Sequence, residues 1–439
     1  MKYRYRNEEE MKDSGIEWIG RIPKNWSISR IDKEFIVRNE KVSDKDFSPL
    51  SVTKQGILPQ LENVAKSDNN DNRKKVLKGD FVINSRADRK GSCGVSTYDG
   101  SVSLICNVLT PKYLESQYVH SLFRNYYFSE EFYRWGSGIV DDLWSTNIEK
   151  MKKINIPIPN ENEDKKIANF LEKKTTEFDS IISKKEALIQ KLEEVKKSLI
   201  SEIVTGKVKV VKTSDGYKLI ERKKEEMKDS GVEWLGKIPS YWKRIKVSRI
   251  ANVVRGASPR PAGDPNYFGG NDVPWITVAE VTKDENKLLD SVSAYLTSLG
   301  KIQSRYLEEG TLIMSNSGAT LGVPKILNIS GCINDGSLAF LNLDIDKNYL
   351  YYLLKSRTKI FREEMQISGQ PNLNTDVVKS LDILKPLEEE QRIIAEYLDC
   401  EIDQINVLIE KSNYQIGKLK EAKQSLISEA VTGKIEILD

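Results

Sequence analysis

The sequence predicts an α+β protein: two mixed α/β domains joined by two long antiparallel helices that form a coiled coil, tandem-duplicated with pseudo-two-fold symmetry. Three observations predict it. A short motif and a long helical segment each occur twice. Both helical segments carry apolar residues at alternating three- and four-residue steps with no internal proline. The two blocks between these repeats are domain-sized and share their turn punctuation but little else.

The short motif is MKDSGIEWIGRIPKNW (11–26), which returns as MKDSGVEWLGKIPSYW (227–242) with 11 of 16 positions identical and an offset of 216. A second pair, SLISEIVTGK (198–207) and SLISEAVTGK (425–434), lies at an offset of 227. The order is therefore motif, variable block, helical block, and then all three again, with 11 residues gained in the second variable block. Trp18, Trp26, Trp234 and Trp242 repeat with the motif and read as packing anchors.

The helical blocks run from about Glu161 to Val204 and from about Glu388 to Val431. The expected seam is Ile167, Leu171, Phe178, Ile181, Leu188, Leu192, Val195 and Leu199 on the first helix. On the second it is Ile394, Leu398, Ile405, Leu408, Leu419 and Leu426, with Ser412 as a polar interruption. At 1.5 Å per residue each helix is a rod of roughly 65 Å. Pro159 and Pro386 precede the rods, and Gly206 and Gly433 in the T-G-K turns end them as caps. The T-G-K is structural and not a phosphate loop: no glycine stands five residues ahead, and Val208 and Ile435 follow where Ser or Thr is needed.

The variable blocks span about 27–155 and 243–382. KGDFVINS (78–85) parallels EGTLIMSN (309–316), each a turn feeding a buried strand. SCGVS (92–96) parallels TLGVP (320–324), and Gly/Asn-rich stretches follow at 136–147 and 368–376. Both blocks read as one mixed fold carrying different loops.

Composition narrows the chemistry. At 439 residues the chain is too long for one core, and 39% hydrophobic with 30% charged residues suits a folded, soluble protein. Lys plus Arg outnumber Asp plus Glu by only 3, so any nucleic-acid partner must be held by local patches. No stretch is apolar enough for a signal peptide or a membrane span, and the expected setting is the cytoplasm. His120 is the only histidine, and its place in YVHSLF marks a helical packing residue. Cys93, Cys106, Cys332 and Cys400 are scattered, so they form no zinc site and read as reduced, mostly buried thiols.

IPIPNENEDKKIANFLEKK (156–174), PLEEEQRIIAEYLDCEID (386–403), both T-G-K helix ends, VPWITVAEV (273–281) and GTLIMSNSGATLG (310–322) resemble the specificity subunits of type I restriction–modification enzymes. The resemblance covers essentially the whole chain. It implies two target-recognition domains (27–155 and 243–382), each reading half of a split, asymmetric double-stranded DNA site. It also implies helices (156–212 and 383–439) that act as a spacer. The framework motifs (1–26 and the linker-plus-motif 213–242) would help assemble two methyltransferase subunits and the restriction subunits. S-adenosylmethionine, ATP and Mg are expected only in those partners, with no cofactor, metal or catalytic residue in this chain. Domain size and rod length leave centre-to-centre spacings of one or two DNA turns open, and the resemblance favours one.

Basic clusters in the heads are the candidate DNA contacts, since Arg reads guanine, Asn reads adenine and Lys mainly neutralises phosphate. In the first head these are Arg73, Lys74, Lys75 and Lys78, then Ser85, Arg86, Arg89 and Lys90. In the second they are Lys243 and Arg244, with Lys246 and Arg249 beside them, then Arg255, Ser258 and Arg260. Ser315, Asn316 and Ser317 occupy the place of Asn84, Ser85 and Arg86.

Two other classes of function compete. A coiled-coil scaffold with two ligand- or protein-binding heads would share the architecture. A self-contained DNA methyltransferase or nuclease is disfavoured, because the chain has neither a Pro-Pro for a base-holding [D/N/S]-P-P-[Y/F/W] motif nor any Pro-Asp pair.

Overall fold

The computed structural model describes every residue except 1, 61–70, 139–143, 161, 233–234, 319, 368–371 and 439. Trp234 and parts of the 136–147 and 368–376 stretches thus lie outside the described residues.

Both Lys/Glu/Leu-rich segments fold as uninterrupted helices, Glu163–Val204 (42 residues) and Glu388–Val431 (44 residues). Each ends in the expected glycine cap. Gly206 and Gly433 take φ of +75° and +71°. The Lys207 amide donates to Glu202 O (2.9 Å) and the Gly206 amide to Ile203 O (3.0 Å). Lys434 and Gly433 repeat this on Glu429 (2.8 Å) and Ala430 (3.1 Å). A Cβ on either glycine would sit 2.5 Å from a proline Cδ of a framework motif, Pro239 or Pro23. The caps are therefore also close-packing points.

The chain forms two units, residues 1–187 with 412–439 and residues 188–411, so each unit holds part of both long helices. In the first unit Trp26, Ile22 and Ile19 pack between Ile167 and Leu171, at the start of one helix, and Leu426, Ala430 and Val431, at the end of the other. In the second unit Trp242, Ile238 and Leu235 pack likewise between Ile394 and Leu398 and Ile200, Ile203 and Val204. Each framework motif thus joins the helix that follows its own block to the end of the other copy's helix. Linear order alone does not express that arrangement. The strand Lys2–Tyr5 pairs with Ile435–Leu438, Lys2 opposite Leu438 and Tyr5 opposite Ile435. In the second unit Gly216–Glu221 and Val208–Thr213 repeat this register, Lys218 opposite Val211 and Glu221 opposite Val208, as a hairpin.

A glutamate in the first turn of each long helix is anchored in the same way. Glu163, the first residue of its helix, accepts from Trp26 Nε1 (2.7 Å) and pairs with Arg6. Glu390 accepts from Trp242 Nε1 (2.9 Å) and pairs with Arg222 at 2.5 Å. Two buried tyrosines tie the far ends in: Tyr118 donates to Pro157 O and Val431 O, Tyr349 to Leu384 O and Val204 O.

The helices pack against each other within each unit. In the first, Lys423 Nζ meets Asp179 (2.7 Å) and Lys185 Nζ donates to Gln415 Oε1 (2.6 Å), an antiparallel order. In the second, the buried Lys196 Nζ donates to Asn406 Oδ1 (3.2 Å). The expected seam needs correction. Leu171, Leu398, Ile405 and Leu426 are buried, and Phe178, Leu192, Leu199 and Leu419 half-buried. Ile181, Leu188, Val195 and Leu408, however, are 44%, 47%, 53% and 51% exposed. The buried stripe keeps Ser412 as its polar interruption but otherwise takes Ile182, Lys196 and Ile416, with Lys185 and Ile189 half-buried. Lysines occupy seam positions through their amide partners, so apolar counting slips to the neighbouring face.

Each head has its own sheet, and the two sheets have one strand order. In the first head Cys93–Val95, Phe81–Asn84, Cys106–Pro111 and Phe35–Val37 lie in that order; in the second, Pro324–Leu327, Leu312–Ser315, Ser337–Leu341 and Asn252–Arg255 do. Phe81 opposes Leu109 as Leu312 opposes Phe340. A second pair of strands also matches: Val76 opposes Gly100 and Lys74 opposes Val102, as Leu307 opposes Gly331 and Arg305 opposes Ile333. Each block begins and ends in one ribbon, Ser27–Arg30 with Asn155–Ile158 and Lys243–Lys246 with Asp382–Lys385. The loops differ. The second head adds an edge strand, Leu288–Leu289, to its sheet, and its longest helix is Lys347–Ile367. The first head's longest helices are a consecutive pair, Ser116–Phe123 and Tyr126–Arg134, the latter capped by the Asn125 side chain.

Candidate nucleic-acid interface

In the first head Arg73 and Lys74 close on a single turn, residues 103–105. Arg73 Nε and Nη2 donate to Ser101 Oγ (2.8 Å) and Ser101 O (3.0 Å), on one side of it. Lys74 Nζ donates to Cys106 O (2.8 Å), on the other. Burial holds both cations below their usual ranges. The turn itself is exposed at Ser103 and Leu104.

In the second head the register above makes residues 334–336 the counterpart of that turn. Here Asp335 gathers four of the candidates. Its carbonyl accepts from Arg255 Nε (2.7 Å) and Asn316 Nδ2 (3.3 Å). Its carboxylate accepts from Ser258 Oγ (2.5 Å), and Arg260 lies 3.7 Å away. Asp335 and Leu104 escaped sequence reasoning, which looked for positive charge. Extending the match between 78–85 and 309–316 through GSVSLIC (100–106) and GCINDGS (331–337) is the signal that could have found them.

Other candidates lie apart from these turns. Lys75 pairs with Glu40 (2.9 Å) and covers the Phe47 ring. Lys78 is exposed at the turn before strand Phe81–Asn84, its amide bonded to Asp99. Ser85 is buried. Arg86 and Arg89 are exposed on the loop after that strand, and Lys90 pairs with Glu130 (2.5 Å). Arg86 bridges Ser145 as Ser317 bridges Asn372, so the equivalence of these strand ends extends past the sheet. Ser315 is buried, its hydroxyl donating to Thr320 O (2.7 Å), and Asn316 is buried with no partner for Oδ1 among the described residues. Lys243, Arg244 and Lys246 sit on the entry ribbon. Arg244 donates to Ser230 O (2.7 Å) and Lys246 pairs with Asp382 (2.8 Å); Arg249 is exposed just beyond.

His120 behaves as a packing residue. Its Nδ1 accepts from the Val95 amide (3.2 Å), and burial pushes its pKa down to about 4. Cys93, Cys106 and Cys332 are buried and Cys400 exposed; burial pushes the Cys93 and Cys106 thiols up to about 11 and about 12. No group of three or more His, Cys, Asp or Glu that could hold a metal occurs among the described residues, and no described helix is long and apolar enough to cross a membrane.

The family model for the type I restriction modification DNA specificity domain matches residues 23–194 and, again, residues 239–417. The chain belongs to that family. Each specificity-domain match contains one head and much of the long helix after it. The chain is 24% identical to the putative type I restriction enzyme MjaX specificity subunit of Methanocaldococcus jannaschii, over 98% of this chain and 97% of that protein. It is 25% identical to the MjaVIII specificity subunit of the same organism over 65% of this chain, and spans only 63% of that relative's length. A chain from a structure of complex assembly and conformational transition in a type I restriction–modification system shares the specificity-domain fold. Its TM-score is 0.71, at 16% identity, covering 94% of this chain and 99% of that one.

Proposed function

We propose that this chain is the DNA sequence-recognition subunit of a type I restriction–modification complex. Residues 27–155 and 243–382 each read one half of a split, asymmetric target, and the long helices set the spacing between the halves. The framework, residues 1–26, 156–212, 213–242 and 383–439, assembles two methyltransferase subunits and the restriction subunits. S-adenosylmethionine, ATP and Mg belong to those partners, the chain itself is non-catalytic, and the complex works in the cytoplasm.

One observation carries this reading. The two specificity-domain matches keep one sheet register while the side chains on corresponding loops differ in chemistry. A shared frame with divergent loops suits two readers of different bases better than a scaffold binding one ligand twice. The candidate basic residues supply phosphate and base contacts in this reading, and the small net charge of +3 means that tight binding needs the partner's surface as well.

The experiment is a head exchange. With its methyltransferase partner, a chain whose residues 27–155 come from another family member should methylate a site changed in one half only. A change in both halves at once, or tight sequence-specific binding by the isolated chain, counts against the reading. Retention of a protein or small ligand with no DNA-dependent retardation of the complex would favour the scaffold.

A further inference from the structure

We infer that the turn at residues 103–105 of the first head and 334–336 of the second is one base-reading position, with Leu104 the apolar reader and Asp335 the positioning residue for Arg255 and Arg260. The inference rests on the reading of the heads as DNA-recognition domains. It goes beyond it by assigning which loop reads and with what chemistry.

Register makes the two turns equivalent. Val76 opposite Gly100 and Lys74 opposite Val102 correspond to Leu307 opposite Gly331 and Arg305 opposite Ile333, so the residues that follow, 103–105 and 334–336, hold the same place. In each head two basic side chains reach this turn or the residues that flank it, and by different routes. Arg73 and Lys74 come from the adjacent strand Arg73–Val76. Arg255 comes from the end of strand Asn252–Arg255, and Arg260 from the loop beyond it. Non-equivalent sequence positions have delivered positive charge to an equivalent point, as a surface that meets a polyanion requires.

The residue at the tip differs in kind. Leu104 is an exposed apolar side chain between two gripped flanks, suited to a thymine methyl in the major groove. Asp335 presents a carboxylate, which phosphates would repel unless cations neutralise it. Its roles here are geometric: Oδ1 holds Ser258, which lies between the two arginines in sequence, and its carbonyl holds Arg255. Arg255 spends only Nε on that bond. Among the described residues its two terminal nitrogens, the pair that grips guanine O6 and N7, take no protein acceptor.

The test uses the full complex with its methyltransferase partner and a library of sites varied in each half, read as relative methylation rates. Asp335→Ala should lower discrimination at one base pair of the second half-site about 10-fold, the size of one bidentate contact, and leave the first half unchanged. Both variants keep the carbonyl that holds Arg255, but Asp335→Asn also keeps a side-chain acceptor for Ser258, so it should retain most of that discrimination. Leu104→Ala should relax one position of the first half-site only. Wild-type discrimination in both Asp335→Ala and Leu104→Ala overturns the inference, as does a uniform loss across both halves. If Asp335→Ala fails to fold, Leu104→Ala decides the same question. A wild-type complex that methylates no split site would refute the functional reading, a result distinct from either of these.

Discussion

Arg222 and Glu390 form a 2.5 Å ion pair with both side chains almost fully withdrawn from water. The pair fixes the strand preceding the second framework motif to the first turn of the long helix Glu388–Val431, and Glu390 also holds Trp242 Nε1 and the Tyr241 hydroxyl. A carboxylate in the first turn is also favoured by the positive end of the helix dipole. Arg6 and Glu163 repeat the arrangement at the other helix.

Removing one member should therefore strand the other. Arg222→Ala is expected to cost about 3 kcal/mol of unfolding free energy. Arg222→Met with Glu390→Leu should cost less than either single change, because no buried charge is left. Denaturant titration of the four proteins checks the order, and an additive double mutant would contradict it.

The T-G-K glycines should not tolerate a side chain. Gly433→Ala must place a Cβ 2.5 Å from Pro23 at a φ of +71° and is expected to destabilise by about 2 kcal/mol or more. Gly236, also at positive φ but with open space around it, should lose only about 1 kcal/mol as Ala. Thermal melts of the two variants compare clash with strain.

Acid should weaken the first unit through His120. Its folded pKa is depressed to about 4 from the usual 6.5, so both folded and unfolded chains hold it neutral above pH 6.5. Below that the unfolded state binds the proton first. Stability contributed by the neutral ring is full above pH 6.5 and lost progressively as pH falls towards 4, up to about 3 kcal/mol. The difference in unfolding free energy between wild type and His120→Gln, followed from pH 7.5 to 4.5, should shrink across that window. A constant difference would show that His120 does not titrate this way.

The helices should behave as a paired ruler. Four residues inserted between Lys185 and Gln190 advance the rest of that helix by about 6 Å, so Lys185–Gln415 and Lys196–Asn406 can no longer form in one register and the single insertion should destabilise the pair. A matching insertion in both helices should lengthen the preferred gap between half-sites or abolish binding. An unchanged gap on a library of spacer lengths would show that the helices do not set it.

Much of this was legible in the residues. The heptads, prolines and glycines that bound the long helices act within a few residues of themselves, so the helix limits and the T-G-K caps follow from local pattern. The duplication is a property of the string, and the family resemblance rests on motifs in order. The seam was less legible, because Lys185 and Lys196 reach amide partners on the facing helix and disguise its phase.

Sequence alone thus determined the α+β class, the two long helices, their caps and the repeated frame, because each depends on short-range periodicity and backbone preference. Only tertiary structure decided that each framework motif closes on the far helix's end, and that Lys2–Tyr5 pairs with Ile435–Leu438, since those contacts join residues hundreds of positions apart. It alone also decided which charges meet at a common turn. Arg73, Lys74, Arg255 and Arg260 were visible as charges, but Leu104 and Asp335 acquired their place from strand register. Register is set by pairing across a sheet, where a single residue's identity carries no signal until its neighbours are fixed.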